Sequence, residues 1–357
     1  SKRGYTHQFL IIRRQHVLRK VGGRATRSEA TDVARQPTDS YTEPMASSVA
    51  TAKAAAKAIL LGEHAVVYGF PAIAVPLPQV HAIAQAQLDA NLADVVIEAR
   101  DTDEVISLEK TPNHPLARAA SLALEALAAE AKNVRLSLSS NIPIAAGLGS
   151  GAAVSTAVMR AIASLFGQRI PEEELSDLVY EVERLHHGTP SGIDNTVVVY
   201  EKAVYFRKGH RPQFPLLAKP LSLVLADTGI ASTTREVVAT LRIAREAQPV
   251  RVNAMLTSIG NLVGSAREAM RQGDIVALGQ HMNANQALLA ELGLSIPALD
   301  RLIEAARAGG AHGAKLTGAG CGGHAIALTA EGKAEDVVQS LQTAGAKRVT
   351  LCRVQPS

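Results

Sequence analysis

The chain has 357 residues, of which 47% are hydrophobic and 20% charged, so it can bury a core and is long enough for two domains. Aromatic residues make up 3% and tryptophan is absent, which removes the stacking platforms that single-stranded nucleic acid needs and leaves Ala, Leu, Val and Ile to build the core. The net charge of +4 is no nucleic-acid footprint either, because residues 1–44 hold nine basic and four acidic residues and the rest is close to neutral.

Those first 44 residues read as a basic tail outside the folded body, disordered or non-native, with Met45 as the expected native start. The tail lacks the apolar stretch and small-residue cleavage site of a secretory signal, and its arginines leave an organelle transit peptide open. Residues 57–61 and 72–77 are predicted strands about a turn at Gly69 and Pro71, followed by strands over 80–89 and 94–100. The Ala- and Leu-rich stretch 115–131 predicts a helix, and the alternation of VRLSLSSNIP, 134–143, a half-buried strand. A glycine-rich loop leads into AAVSTAVMRAIASLFG, a nearly all-apolar and therefore buried helix. Pro171 with Glu172, Glu173 and Glu174 opens the next helix, which runs to His187. NTVVVY and AVYFRKG are expected to form a hairpin about Glu201 and Lys202.

The prolines of GHRPQFPLLAKPL, 209–221, mark the expected domain boundary. Beyond them the patterns predict a strand over 221–227, helices over 233–247, 250–272, 274–292 and 297–308, then strands HAIALTA and KRVTLCRV with a helix between. Both halves are mixed α/β, without internal repeats and without regular βαβ spacing. No apolar run is long enough to span a membrane. Cys321 and Cys352 make neither a disulfide framework nor a metal quartet, which fits a reducing, cytoplasmic setting.

Three stretches carry chemistry. In NIPIAAGLGSGAAVSTAV, 141–158, a strand feeds a loop with Gly147, Gly149 and Gly151, and a helix begins at once. Such a loop reads either as a phosphate cradle over a helix N-terminus or as a plain helix-entry turn. It is not a Walker A loop, because no Lys-Ser/Thr follows, and its glycines do not fit the dinucleotide fingerprint. In EVERLHHGTPSGIDNTVVVY, 181–200, Glu183 and His187 share a helix face, and Asp194 stands at the entry to an apolar run. Asp194 there suits a base that orients a hydroxyl, and equally a carboxylate that bonds turn amides. In GAKLTGAGCGGHAIAL, 313–328, four glycines crowd a loop ahead of a strand, which fits a ligand lying across two domains or a flexible hairpin. Cys321 in that loop has no activating partner nearby in sequence. The eleven histidines show no metal-binding spacing, so a divalent ion would be Mg²⁺ held by oxygens and phosphates.

With these stretches in view, the sequence resembles the GHMP kinase superfamily, and within it the mevalonate kinases, over nearly all of residues 53–350. KAILLGEHAVVYGFPAIAVPL is similar to that family's first motif, IPIAAGLGSGAAVS to its second, KLTGAGCGGHAIAL to its third and HHGTPSGIDN to its catalytic segment. LGQHMNANQALLAELGLS, 278–295, is similar to a helix pair of its C-terminal domain. The resemblance implies an α/β (α+β) fold of two domains, a ribosomal-S5-like one over 45–215 that binds ATP and a ferredoxin-like one over 216–357, with the active site between them. It implies ATP-dependent phosphorylation of the mevalonate 5-hydroxyl, with Asp194 and Lys57 catalytic. Pro143, Ala146, Gly147, Leu148, Gly149, Ser150, Gly151 and Ala152 would cradle the ATP phosphates. Glu63, His64, His187, Ser191, Thr317, Gly318, Ala319 and Gly320 would face the substrate, with Ser150 and Glu183 on Mg²⁺. A homodimer is implied as well, with neither nucleic acid nor membrane as partner.

One departure from the family pattern stands out. Where the family has Gly-Leu-Gly-Ser-Ser, with its second serine on Mg²⁺, this chain has Gly151, so Ser150 or water would take that place beside Glu183. Rival readings are another GHMP small-molecule kinase acting on phosphomevalonate, the 3-hydroxyl of mevalonate or homoserine, and a non-catalytic metabolite sensor. Retention of both Lys57 and Asp194 argues against the sensor.

Overall fold

The computed structural model describes residues 49–143, 147–187 and 190–356, with residues 186 and 187 described by their backbone alone. The tail expected over residues 1–44 lies outside the described residues. β1 (Ala50–Leu61) alternates burial over its first four residues and is buried throughout from Ala54 onward. It pairs antiparallel with β2 (Ala72–Leu88), a single strand of 17 residues where two were expected. The register slips between Ala55 and Ala56, and the irregularity takes up Pro78, which has no N–H to give to a ladder. The extra residues lie on β2, opposite the Ala55–Ala56 step that precedes Lys57 in β1.

After β3 (Val95–Ala99), β4 (Glu104–Ser107), α1 (Pro115–Leu127) and β5 (Val134–Ser140), the first sheet runs β1-β2-β5-β3-β4. Within it β3 and β5 are parallel and the other neighbours antiparallel. α2 (Ser150–Leu165) lies across β1 and β2 and against α1. Its buried Ala152, Ala153, Ala157 and Ala161 meet a sheet whose inward residues include Ala54, Ala56, Ala58, Ala82 and Ala84. Small residues on both layers bring helix and sheet close together, which is how a chain poor in aromatics packs this core. α3 (Glu172–His187) starts at the predicted acids and packs on α1 and α2.

The expected hairpin about Glu201 and Lys202 is replaced by a helix, α4 (Ile193–Tyr200). NTVVVY has the β-branched residues of a strand, but Ile193, Val197, Val198 and Val199 are all buried, and packing outweighs propensity. The ends are defined by Gly192 at φ 92° and Glu201 at φ 51°, and Asp194 occupies the first turn, where a carboxylate favours a helix. Only the following strand, β6 (Val204–Phe206), joins the sheet, along β2.

The second sheet begins with β7 (Leu221–Asp227), after the predicted proline-rich connection. Four helices follow as the sequence predicts: α5 (Thr234–Ala247), α6 (Pro249–Gln272), α7 (Ile275–Glu291) and α8 (Pro297–Ala308). β8 (Ala311–Thr317), β9 (His324–Thr329), α9 (Ala334–Thr343) and β10 (Arg348–Val354) complete the chain. The antiparallel order β10-β7-β9-β8, with helices after the first and third strands, is the ferredoxin-like split βαβ arrangement. Among the described residues no helix is long and apolar enough to cross a membrane.

Candidate active site

Lys57, Asp194 and the glycine loop of the second motif, 147–151, are far apart in sequence and meet at one point. Lys57 is almost fully buried on β1, and its stem runs over Gly149. A Cβ on Gly149 would stand 3.0 Å from Lys57 Cγ, and the φ of +71° there also favours glycine. The Lys57 ammonium donates to the Gly147 carbonyl at 2.9 Å and pairs with Asp194 Oδ1 at 3.2 Å. Its backbone N–H donates to the Leu148 carbonyl at 3.0 Å, so loop and strand are fastened together. Asp194 keeps 30% of its side chain exposed, so the ion pair is open on the carboxylate side.

The loop ends at the N-terminus of α2. Gly149 takes the N-cap position in the left-handed conformation, and no side chain caps the helix there. Ser150, Gly151 and Ala152 form the first turn, whose amide groups have no acceptor within the helix. Free amides, the positive end of the helix and a buried lysine make this point attractive to a phosphate. Glu183 approaches from α3 and is buried. Burial, and then the nearby Asp194, push its carboxyl up to about 8, against the pull of Lys57. A Cβ on Gly151 would stand 2.5 Å from Glu183 Oε1. Among the described residues no cluster of three His, Cys, Asp or Glu side chains could hold a metal by itself. Glu183, Asp194 and Ser150 nonetheless suit a hard cation that draws its remaining oxygens from phosphates.

The glycine loop of the third motif, 318–323, reaches the same point from β8. A Cβ on Gly147 would lie 3.3 Å from Gly318 Cα, so the two loops touch backbone to backbone. Thr317, at the end of β8, accepts from the Ile59 N–H at 3.1 Å and donates to the Ile59 carbonyl at 3.1 Å. Ser191 accepts from the Ile193 N–H at 3.4 Å and is half-buried beside Asp194 in the chain. Pro143, also half-buried, leads into the second loop. Ala146 and the side chain of His187 lie outside the described residues.

Glu63 and His64 sit behind this wall, bonded to protein groups. His64, at φ 59°, donates from Nε2 to the Ala319 carbonyl at 2.7 Å, which holds the third loop to the first motif. Glu63 forms a buried ion pair with Lys315 and accepts from Asn285 Nδ2 at 3.3 Å. Burial pushes the Glu63 carboxyl up and the Lys315 ammonium down, while their direct contact pulls both back. Lys315 also donates to the Leu316 carbonyl, and Gln286 Oε1 accepts from the Leu316 N–H at 2.9 Å. Lys315, Asn285 and Gln286 were missed at the sequence level. The signal was present as a charged residue within an apolar strand and an Asn-Gln pair within an otherwise apolar helix face.

Comparison with known proteins adds to this geometry. The family model for the GHMP kinases N terminal domain matches residues 115–202, and the model for GHMP kinases C terminal matches residues 266–347. The mevalonate kinase of Thermococcus sibiricus is 38% identical over 315 residues, covering 82% of this chain and 93% of its own length. That of Pyrococcus horikoshii is 37% identical over 315 residues, with 82% and 92% covered. Among solved structures, the L. major mevalonate kinase in complex with R-mevalonate superposes with a TM-score of 0.76 at 28% identity, covering 88% of this chain and 99% of that one.

Proposed function

Because the chain belongs to the mevalonate kinases of the GHMP kinase family, we propose that it transfers the γ-phosphoryl group of ATP to the 5-hydroxyl of mevalonate. The observation that carries this reading is the 3.2 Å pair of Lys57 and Asp194 at the uncapped start of α2. A substrate hydroxyl beside Asp194 donates its hydrogen bond to the carboxylate and is aimed toward the glycine loop. As its oxygen forms the new bond to phosphorus, the bond from that phosphorus to the β–γ bridging oxygen breaks and ADP leaves. The hydroxyl proton passes to Asp194. Lys57, itself buried, and the α2 amides offset the charge that develops on the transferred group.

Ser150 and Glu183 are assigned to a Mg²⁺ ion, which when bound supplies charge neutralisation to the phosphates. Ser191, Gly318 and Gly320 are assigned to the substrate side, and Glu63 and His64 to the layer that fixes it. The ATP-binding part is taken as residues 45–215 and the C-terminal part as 216–357, the division falling in the connection between β6 and β7. A homodimer belongs to the same reading and is tested by light scattering in solution.

The deciding experiment measures ADP release with Mg-ATP and, one at a time, mevalonate, phosphomevalonate, homoserine or galactose. The expected result is turnover on mevalonate alone, with Asp194→Asn slowing it by about 10²–10⁴-fold while still binding Mg-ATP. Turnover on another acceptor would overturn the substrate, and full activity of Asp194→Asn would overturn the assignment of the base.

A further inference from the structure

Five of the eight residues of α4 are β-branched, so helix propensity does little to hold this short element in place. Its valines are buried, but apolar packing has no direction and defines the rotation of a two-turn helix only weakly. That rotation matters because Asp194 lies on α4. A turn of about 20° carries a carboxylate ~5 Å from the helix axis through roughly 2 Å. Such a shift breaks the 3.2 Å pair with Lys57. The directional bonds at this end of α4 come from one face of α3. The Asn195 amide, buried, donates to the Ser176 hydroxyl at 2.9 Å and to the Ser176 carbonyl at 3.1 Å. Tyr180, one turn further along α3, donates from its hydroxyl to the Pro190 carbonyl at 3.5 Å. Asp194 lies in the chain between these two attachments. Thr196 donates to the Gly192 carbonyl at 2.6 Å, within the start of α4 itself, and so ties the helix to nothing else. Arg160 holds the Val199 carbonyl at 2.7 Å, but at the opposite end. Leucine would fill the space of Asn195 with no polar group to desolvate; what the amide adds is direction.

Resting on the assignment of Asp194 as the base, we propose that Asn195 is a positioning residue: clamped to Ser176 of α3, it sets the rotation of α4 that holds the Asp194 carboxylate against Lys57 and toward the acceptor hydroxyl. Asn195 acts only through Asp194. The phosphate loop is fastened separately, by Lys57 to the Gly147 carbonyl and by the Lys57 N–H to the Leu148 carbonyl. The clamp therefore governs the chemical step and leaves nucleotide binding almost unchanged.

The test measures kcat on mevalonate and the KM for Mg-ATP. Asn195→Ala and Ser176→Ala are each made in the wild-type chain and in Asp194→Asn, and each is first checked for a native circular dichroism spectrum. In the wild-type chain Asn195→Ala is expected to lower kcat by about 10–100-fold, with the KM for Mg-ATP within about threefold. In the Asp194→Asn chain it is expected to change the residual turnover by less than about twofold, because the group it positions is gone. A merely structural defect lowers the active fraction and cuts both backgrounds alike. Ser176→Ala keeps the carbonyl acceptor and is expected to lower kcat by about 3–10-fold, again only where Asp194 is present. Wild-type kcat in folded Asn195→Ala, an equal loss in the two backgrounds, or a KM for Mg-ATP that rises as kcat falls would each overturn the proposal. Should Asn195→Ala lack a native spectrum, Ser176→Ala carries the same comparison, and wild-type kcat or an equal loss in both backgrounds overturns the proposal there. No turnover by the wild-type chain, or full activity of Asp194→Asn, would remove the kinase reading or the base and this inference with it, outcomes that do not depend on either clamp variant.

Discussion

Lys57 and Glu63 are both buried charges contributed by the first motif, yet they have opposite surroundings. Lys57 pairs with an aspartate that is still 30% exposed, so a ligand can reach the pair. Glu63 pairs with Lys315 where neither side chain is exposed, so the pair is spent on the protein itself. His64 belongs with Glu63. Its imidazole donates to the Ala319 carbonyl, and burial pushes its pKa from 6.5 down to about 4. The folded protein thus holds His64 neutral while the unfolded chain takes up a proton below pH 6.5. Stability is complete above that pH and falls as the pH drops from 6.5 toward 4, where the folded state begins to take up the proton too. The full loss is on the order of 3 kcal/mol. Urea unfolding across this range should show the slope in the wild type and a flatter one in His64→Asn, since asparagine accepts the φ of 59° and does not titrate. Equal slopes would assign the acid sensitivity to other groups.

Among the elements, the glycine loops were legible because their signal is local. Glycines after an alternating strand and before an apolar helix identify the second loop without any knowledge of the fold. α4 was not legible, because the fact that decides it is tertiary: its valines are buried on several sides, and a half-buried strand needs only one apolar face. The merger of two predicted strands into β2 has a similar origin, since the bulge at Pro78 is defined by its partner β1. The crossing of α7 over β8 shows the same dependence at a single atom. A Cβ on Gly279 would stand 2.5 Å from the His312 carbonyl carbon, and Gly313 faces Gly279 from the strand. The helix therefore lies directly on the strand that carries Lys315 and Thr317. Gly279→Ala, although it raises helix propensity, is expected to destabilise the protein by about 1–3 kcal/mol through overpacking. A shift of the denaturant midpoint to lower concentration at constant slope would bear this out, and a stabilised variant would refute the close crossing.

For the whole molecule, the site exists only because segments at opposite ends of the chain are locked together. Glu63 and Lys315 are 252 residues apart, and Asn285 reaches Glu63 over 222. No sequence pattern links such partners, which is why the motifs could be recognised while the bonds that align them could not. Thr317 holds the backbone of Ile59, His64 holds Ala319, and Gly147 meets Gly318, so the two sheets are joined along the line that also carries the proposed site. Glu63→Gln leaves the Lys315 ammonium buried without its counter-charge and is expected to cost about 3–5 kcal/mol. Glu63→Leu combined with Lys315→Met removes both charges and should recover most of that stability. Activity should not return with stability in the double variant, because apolar contact does not fix the register of two backbone loops as directional bonds do. Unfolding followed by circular dichroism and turnover measured on the same samples separate the two effects. Recovery of both together would mean that the ion pair acts only through stability, and recovery of neither would mean that its volume or its third partner, Asn285, dominates.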